Sequence, residues 1–238
     1  MNKIDINCDM GEGIGNDEAI MPFISSANIA CGFHAGDDVT MNNTVLLAKK
    51  HGVAVGAHPS FFDRKNFGRT EMKLSPEEIY ELVQKQIKIL KSIATKHDVM
   101  MQHVKPHGAL YNMSAKEPAI AQAIAVAIKD YDANLILFGL SGSDSIKEAV
   151  KFGLKTRNEV FADRTYQDDG SLTPRPQANA LIHDTSDAVG QALQMVLKKA
   201  VTTVSGKTIP VVADTLCIHG DSAHALAFAK AIHAALSK

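Results

Sequence analysis

The chain has 238 residues, of which 45% are hydrophobic and 21% charged, and its formal net charge at pH 7 is −1. This composition is typical of a soluble globular protein with a large core, and no stretch is apolar for long enough to span a bilayer. Without a Lys/Arg cluster, the chain lacks the charge pattern of a nucleic-acid binder, so a small-molecule substrate is expected. The length suits one α/β barrel, and we expect a single domain over 1–238.

The amino terminus and the cysteines both favour the cytoplasm. The first residues run into a strand-like segment without the basic start and apolar run of a signal peptide. Cys8, Cys31 and Cys217 are an odd number and too few for a disulfide scaffold. We therefore expect free thiols in a reducing compartment.

Short apolar runs alternate with longer amphipathic patterns along the chain. The runs predict about seven strands, at 4–7, 26–30, 53–57, 101–105, 135–139, 159–162 and 211–218. Apolar residues at three- and four-residue spacing predict helices at 41–51, 76–96, 118–129, 144–152, 186–201 and 222–236. Ser75 and Pro76 mark the start of the second helix. Alternating strands and helices imply parallel pairing, and we expect a closed or nearly closed β/α barrel in preference to an open doubly wound sheet.

Polar side chains follow the predicted strands one after another. Because the loops after parallel strands open on one face of a barrel, we expect these side chains to converge there. The long polar segment 163–179 is interpreted as a functional loop of the same face. In chain order the strand ends carry Asn7, Asp9 and Glu12; Asn28, Cys31, His34, Asp37 and Asp38; His58, Asp63 and Arg69; Lys105, His107 and Tyr111; Asp163, Arg164 and Tyr166; His219 and Asp221.

Structural roles compete with functional ones at several of these positions. Asp37, Asp38 and Asp221 suit the N-caps of the helices that follow them, although capping does not exclude catalysis. Packing alone does not explain four histidines at four strand ends, each beside a Gly, Pro or Ala that allows a tight turn. These are His34, His58, His107 and His219, whereas His51, His97, His183 and His233 are interpreted as surface or structural residues.

Asp9, His34 and His58 offer the mixed oxygen and nitrogen ligands that suit a divalent metal ion. No second Cys-x-x-Cys or His-x-x-x-His pair completes a zinc site around Cys31 and His34. The alternative, in which these side chains bind substrate and move protons without a metal, therefore stays open. Cys31 is interpreted as a buried thiol in preference to a nucleophile.

The segment from Ser205 to Thr208 resembles the end of a phosphate-binding P-loop. The glycine that should begin such a loop is replaced by Val201, and Pro210 with a strand follows where a helix should start. The segment is therefore interpreted as a turn that leads into the last strand.

Seven segments of the chain resemble the LamB/YcsF family, and they run from the first predicted strand to the last. They are DINCDMGE at 5–12, SANIACGFHAGD at 26–37, VGAHPSF at 55–61, FGR at 67–69, VKPHGALYN at 104–112, EVFADRTY at 159–166 and CIHGD at 217–221. One departure is visible after Arg175, where Pro176-Gln177-Ala178 stands in place of an expected Pro-Gly-Ala.

The resemblance implies a distorted β/α barrel related to the glycoside hydrolase and deacetylase superfamily. It also implies cleavage of 5-oxoproline to L-glutamate coupled to hydrolysis of ATP to ADP and phosphate. The chain would act as one of three subunits, with PxpB and PxpC as its partners and ATP as the cofactor. The candidate catalytic residues are then Asp9, Glu12, His58, Lys105 and His107, and the candidate substrate-binding residues are Asn7, Asn28, Arg69, Tyr111, Asp163, Arg164, Arg175, His219 and Asp221.

Two other functions remain open at this point. The first is a metal-dependent amide hydrolase or deacetylase that needs no ATP, based on Asp9, His34 and His58. The second is a non-catalytic protein that presents 5-oxoproline to its partners, since the sequence contains no recognisable nucleotide motif.

Overall fold

The computed structural model describes residues 4–237 and contains a closed barrel of seven parallel strands. The barrel order is β1-β2-β3-β4-β5-β6-β9, and β9 pairs with both β6 and β1. The prediction of a closed barrel in preference to an open sheet is therefore confirmed. The strands are β1 (Asp5–Met10), β2 (Ser26–Ala30), β3 (Ala54–His58), β4 (Met101–Val104), β5 (Ile136–Leu140), β6 (Lys155–Phe161), β7 (Ala200–Thr202), β8 (Thr208–Pro210) and β9 (Thr215–Ile218).

Helices connect the strands, and the six that the periodicity predicts are all present. The helix at 76–96 has the predicted bounds, and the other five differ at one or both ends. Two further helices, α1 and α4, have only four and seven residues, which is too short for apolar periodicity to reveal them. No helix within residues 4–237 is both long and apolar enough to cross a bilayer. The helices are α1 (Asp17–Ile20), α2 (Asp38–His51), α3 (Pro76–Lys96), α4 (Gly108–Ser114), α5 (Pro118–Tyr131), α6 (Asp144–Lys151), α7 (Thr185–Lys198) and α8 (Ala225–Leu236).

Capping explains two of the helix starts. Ser75 accepts a hydrogen bond from the Glu78 backbone N–H, and the Glu78 carboxylate accepts one from the Ser75 backbone N–H, which forms a capping box before α3. Asp37 caps α2 by accepting from the Thr40 backbone N–H. The capping role considered for Asp221 is wrong, because α8 begins only at Ala225 and the Asp221 carboxylate pairs with Arg69 instead.

The largest difference from the predicted elements lies between α7 and β9. The helix predicted over 186–201 ends at Lys198, and the chain then forms an antiparallel hairpin of β7 and β8. Its turn is closed by a hydrogen bond from the Thr203 N–H to the Lys207 carbonyl, which confirms that this segment is no P-loop. The barrel strand predicted over 211–218 is restricted to β9, because residues 211–214 form no strand and the Val211 N–H bonds to the Lys199 carbonyl beside the hairpin.

A layer of polar side chains fills the barrel interior, since alternate residues of each strand point inward. Asn7 donates to Glu159 and Thr215, each at 2.8 Å, and Asn28 donates to the Asn7 amide oxygen at 2.7 Å. His103 Nε2 donates to the Asn28 amide oxygen at 2.8 Å. These hydrogen bonds join β1, β2, β4, β6 and β9 beneath the carboxyl ends of the strands.

The loop between β2 and α2 provides a test of the packing. Gly36 and Gly206 both have positive φ, of 75° and 86°. A Cβ at Gly36 would lie 2.6 Å from the Gly11 carbonyl oxygen, whereas a Cβ at Gly206 would meet no atom within 4 Å. Gly206→Ala should therefore lower the free energy of unfolding by about 1 kcal/mol from backbone strain alone. Gly36→Ala should cost roughly 1–3 kcal/mol more. Urea unfolding of both variants measures the difference, and equal losses would contradict the close packing of this loop.

Candidate active site

A cavity of about 500 Å³ opens at the carboxyl ends of the barrel strands. Its walls come from the loops after β1, β3, β4, β6 and β9, as the parallel topology requires. A larger open groove of about 680 Å³ lies outside the barrel along α2 and α3, away from every candidate catalytic residue. The lining of the barrel cavity includes Asp9, His58, Arg69, Lys105, His107, Tyr111, Arg164, Arg175 and His219.

The Lys105 ammonium lies at the floor of this cavity, with a side chain only 2% exposed. Its Nζ is 2.8 Å from Asp9 Oδ1, 2.9 Å from Glu159 Oε1 and 3.0 Å from Cys217 Sγ. Burial alone would lower the pKa of Lys105, but the charges of Asp9, Cys217 and Glu159 outweigh it and hold the pKa well above its usual value. Lys105 is therefore a fixed positive charge.

Asp9 is the ionised partner of Lys105. Burial would raise the pKa of its carboxyl, but His58 and Lys105 outweigh this effect and hold the pKa well below its usual value. The second carboxylate oxygen of Asp9 lies 3.3 Å from His58 Nε2. One carboxylate thus links the buried ammonium to the imidazoles.

Three imidazoles and Glu12 form a buried cluster beside Asp9. His58 and His107 meet at 2.8 Å between Nε2 and Nδ1, and the His34 and His107 rings stack with their centroids 3.9 Å apart. Glu12 Oε1 lies 3.3 Å from His34 Nε2. Burial holds the pKa of both His34 and His107 well below the usual value, and burial together with Asp9 raises the pKa of Glu12.

The carboxylate that the structure groups with the imidazoles differs from the one chosen from the sequence. The metal set expected from the sequence, Asp9, His34 and His58, stays a prediction. In the structure one Asp9 oxygen contacts Lys105, and Glu12 is the carboxylate that groups with all three imidazoles. Ligand atoms of Glu12, His34, His58 and His107 all lie within 4.8 Å of one another. A second group of Asp9, Cys217 and His219 is equally compact, but the Lys105 ammonium already contacts two of its members.

Three arginines supply positive charge at the cavity wall. Arg69 pairs with Asp221, and Arg164 donates to the backbone carbonyls of Thr173 and Ala180. Burial and the neighbouring Arg175 lower the pKa of Arg164 to about 10, and burial with Arg69 lowers the pKa of Arg175, which leaves Arg164 charged at neutral pH. Planar guanidiniums of this kind suit carboxylate and phosphate groups.

The loop after β3 holds Arg69 in place. Asp63 accepts from the backbone N–H groups of Asn66 and Thr70, and Phe67 adopts a left-handed conformation with φ of 56°. The Phe67 carbonyl lies 2.9 Å from His107 Nε2, and the Gly68 carbonyl accepts from the Ala109 N–H at 2.9 Å. The loop is therefore bonded directly to the start of α4.

His219, which lines the cavity near Asp9 and Cys217, is oriented by Asp163. The Asp163 carboxylate accepts from the His219 backbone N–H at 3.0 Å and from His219 Nδ1 at 2.9 Å. Burial would raise the pKa of Asp163, but His219 outweighs it and holds the pKa below its usual value. The other ring nitrogen, Nε2, is not bound by Asp163 and is available to a ligand in the cavity that His219 lines.

Comparison with known proteins gives a consistent result over the whole chain. Residues 4–238 match the model of the LamB/YcsF family. The chain belongs to the LamB/YcsF family. It is 53% identical over 242 residues to the A subunit of 5-oxoprolinase from Brevibacillus brevis, covering 100% of this chain and 95% of that protein. It is 52% identical to the same component of 5-oxoprolinase from Staphylococcus carnosus, covering 99% and 96%. The crystal structure of "Lactam Utilization Protein" from Thermus thermophilus matches with a TM-score of 0.91 and 44% identity, covering 99% of this chain and 96% of that one.

Some candidate residues of this LamB/YcsF barrel lie elsewhere than the sequence suggested. Asn7 and Asn28, expected to bind substrate, are fully buried in the polar layer beneath the cavity and bond to each other. His107 shares the short loop after β4 with Lys105, as expected, whereas Tyr111 lies on α4, which begins at Gly108. Cys31 is a buried thiol whose pKa is raised by burial to about 12, as expected of a structural cysteine.

Sequence reasoning missed Glu159 and His103. Glu159 is fully buried and provides the second carboxylate for Lys105, while its Oε2 has no hydrogen-bond partner within residues 4–237. His103 stacks on Phe138 and occupies the space that Gly56 leaves open. Both are polar residues within otherwise apolar strands, and this is the signal that could have identified them. Whether such a residue points into the barrel is known only once the strand register is known.

The Asp163 carboxylate should make stability depend on pH. Because its pKa is lower in the folded state, its stabilising contribution is present above the unfolded value of about 3.9 and is lost as the pH falls through the folded value. Asp163→Asn should therefore be about 1–3 kcal/mol less stable than wild type at pH 7. The gap should narrow below about pH 4. Urea unfolding at both pH values tests this, and a constant difference would contradict an ionic role for Asp163.

Proposed function

We propose that this chain is the PxpA-type component of an ATP-dependent 5-oxoprolinase and cleaves 5-oxoproline to L-glutamate as ATP is hydrolysed to ADP and phosphate. It would do so in the cytoplasm as one barrel domain, together with two partner proteins of the PxpB and PxpC type. The names of the relatives support a role in 5-oxoproline metabolism. The observation that carries the catalytic part is the buried Lys105 ammonium beneath a cavity with three guanidiniums in its wall.

The proposed reaction explains why the site needs so many cations. A five-membered lactam is an unreactive amide, and transfer of a phosphoryl group from ATP to its carbonyl oxygen creates a leaving group. Water adds to the ring carbon, the ring C–N bond breaks, and the nitrogen takes up a proton. A second water molecule then hydrolyses the phosphorylated carboxyl group that remains, which releases phosphate. Substrate carboxylate, phosphate and the developing oxyanion all carry negative charge and require fixed positive partners.

The residues divide between anion binding and proton transfer. Arg69, Arg164 and Arg175 would bind the carboxylate and the phosphate. Lys105 would stabilise negative charge on the lactam oxygen, because Asp9 and Glu159 hold it charged and immobile. Asp9 with His58, and the cluster of Glu12 and His107 behind them, would activate the water. His219, held by Asp163, and Tyr111 would complete the substrate contacts.

A second candidate function is metal-dependent amide hydrolysis without a nucleotide. One observation favours it, namely the compact group of Glu12, His34, His58 and His107. Measuring glutamate formation with and without ATP, and with and without the two partner proteins, separates the two functions. ATP-dependent turnover only in the presence of the partners supports the 5-oxoprolinase, whereas turnover by the isolated chain without ATP supports the hydrolase.

Replacing Lys105 tests the proposed role of the ammonium. Lys105→Ala should lower ATP-coupled glutamate formation by on the order of a hundredfold, because it removes a preorganised charge opposite the oxyanion. His107→Ala should also be strongly impaired. Lys207→Ala, which changes an exposed lysine in the β7–β8 turn, is the control and should retain wild-type turnover.

Loss of folding has to be distinguished from loss of chemistry. Lys105→Ala leaves two buried carboxylates without their cation, so its melting temperature should fall by several degrees. Combining Lys105→Met with Glu159→Gln removes one of those charges and should recover part of the melting temperature but none of the turnover. Turnover that follows the melting temperature in both variants, or a folded Lys105→Ala variant with wild-type turnover, would refute the catalytic role.

A further inference from the structure

Two backbone carbonyls determine where the protons lie on two buried imidazoles. His58 Nδ1 is 2.7 Å from the Lys105 carbonyl oxygen, and His107 Nε2 is 2.9 Å from the Phe67 carbonyl oxygen. A carbonyl oxygen only accepts hydrogen bonds, so both of these nitrogens must donate. When each ring carries only this one proton, the remaining nitrogens, His58 Nε2 and His107 Nδ1, carry lone pairs, and they face each other at 2.8 Å. Two lone pairs at this distance repel unless a second proton or a metal ion lies with them.

Two more electron-rich atoms approach the same point. Glu12 Oε1 lies 3.3 Å from His34 Nε2 and 3.7 Å from His107 Nδ1. A tetrahedral zinc-type ion with bonds of about 2.0–2.1 Å holds its nitrogen and oxygen ligands roughly 3.3 Å apart. The three separations of 2.8, 3.3 and 3.7 Å bracket that value.

We propose that Glu12, His34, His58 and His107 bind one divalent metal ion of the zinc class. The backbone carbonyls behind His58 and His107 are the outer hydrogen bonds that commonly orient metal-binding histidines. His34 Nδ1 is buried and has no hydrogen-bond partner within residues 4–237. The His34 ring stacks on His107 and presents its other nitrogen, Nε2, to Glu12, so that nitrogen would be its ligand atom.

The burial of the cluster agrees with this assignment. Glu12, His34, His58 and His107 are each at most 9% exposed, so their ligand atoms face one another and not bulk water. A single shared proton between His58 and His107 would relieve the repulsion of their lone pairs, but it would leave Glu12 and His34 unexplained.

The metal site stands on these contacts alone, while its role in catalysis rests on the proposed function. His58 Nε2 is 3.3 Å from Asp9, whose other carboxylate oxygen binds Lys105. An ion at this point would lie next to the lactam-binding floor of the cavity. It would lower the pKa of a bound water and so supply the nucleophile for ring opening; Glu12, His58 and His107 would then be ligands, and Asp9 would remain as the base.

Cobalt(II) binding to the isolated chain tests the site without substrate, ATP or partner proteins. After removal of metal with a chelator, wild-type protein should bind about one equivalent of Co²⁺, with the intense visible absorption of a four-coordinate ion and a raised melting temperature. His34→Gln and Glu12→Gln should each weaken Co²⁺ binding more than tenfold. His51→Gln, which alters an exposed histidine at the end of α2, should bind as wild type does.

Several outcomes would overturn the metal site. Wild-type protein that shows neither the absorption nor a change in melting temperature would contain a shared proton instead of a metal. Binding that survives in the combined variant of Glu12→Gln and His34→Gln would place the ion elsewhere. Circular dichroism of each variant shows whether it is folded, and the wild-type titration decides the question if a variant is not. Normal Co²⁺ binding together with absent glutamate formation would count against the proposed function only.

Discussion

The buried ion pair between Lys105 and Asp9 is the interaction on which the rest of the site depends. Removing a lysine and a carboxylate from water costs several kcal/mol per ion unless other polar groups compensate. Here the compensation comes from Glu159, Asn7 and Cys217, which all contact the ammonium. Deprotonation of Lys105 would leave the buried carboxylates of Asp9 and Glu159 without their cation. The site therefore retains its positive charge whether or not a ligand is present.

The polar layer beneath the cavity follows from this pair. Asn7 bonds to Glu159 and Thr215, and Asn28 bonds to Asn7, Asp9 and His103, so each contact with the ions is itself fixed by a neighbour. A closed barrel makes such a layer feasible, because strands that are distant in sequence present alternate residues to one interior. A fully connected network specifies one arrangement, whereas a partly satisfied one is costly.

The sequence was sufficient to predict the barrel and most of the residues that line the cavity. Parallel strands must end on the same face, so Asp9, His34, His58, His107 and His219 were expected to line one pocket. Four of them line the cavity, whereas His34 is not part of its lining and stacks on His107. Register was the missing information. Without it, Asn7 and Asn28 could not be distinguished from cavity residues, and Glu159 looked like an ordinary strand residue. In the structure Glu12 groups with the three imidazoles, whereas Asp9 pairs with Lys105. Which carboxylate lies next to Lys105 depends on contacts between strands that are distant in sequence, so it could not be predicted from the sequence.

The left-handed turn at Phe67 has a mechanical consequence. Its carbonyl bonds to His107 and the next carbonyl bonds to Ala109, so the loop that carries Arg69 and the first turn of α4 behave as one body. Movement of Arg69 toward a bound anion would therefore act on the His107 ring through the Phe67 carbonyl. The anion end of the cavity and the buried imidazoles are connected by one side-chain and one backbone hydrogen bond, both accepted by carbonyls of this loop.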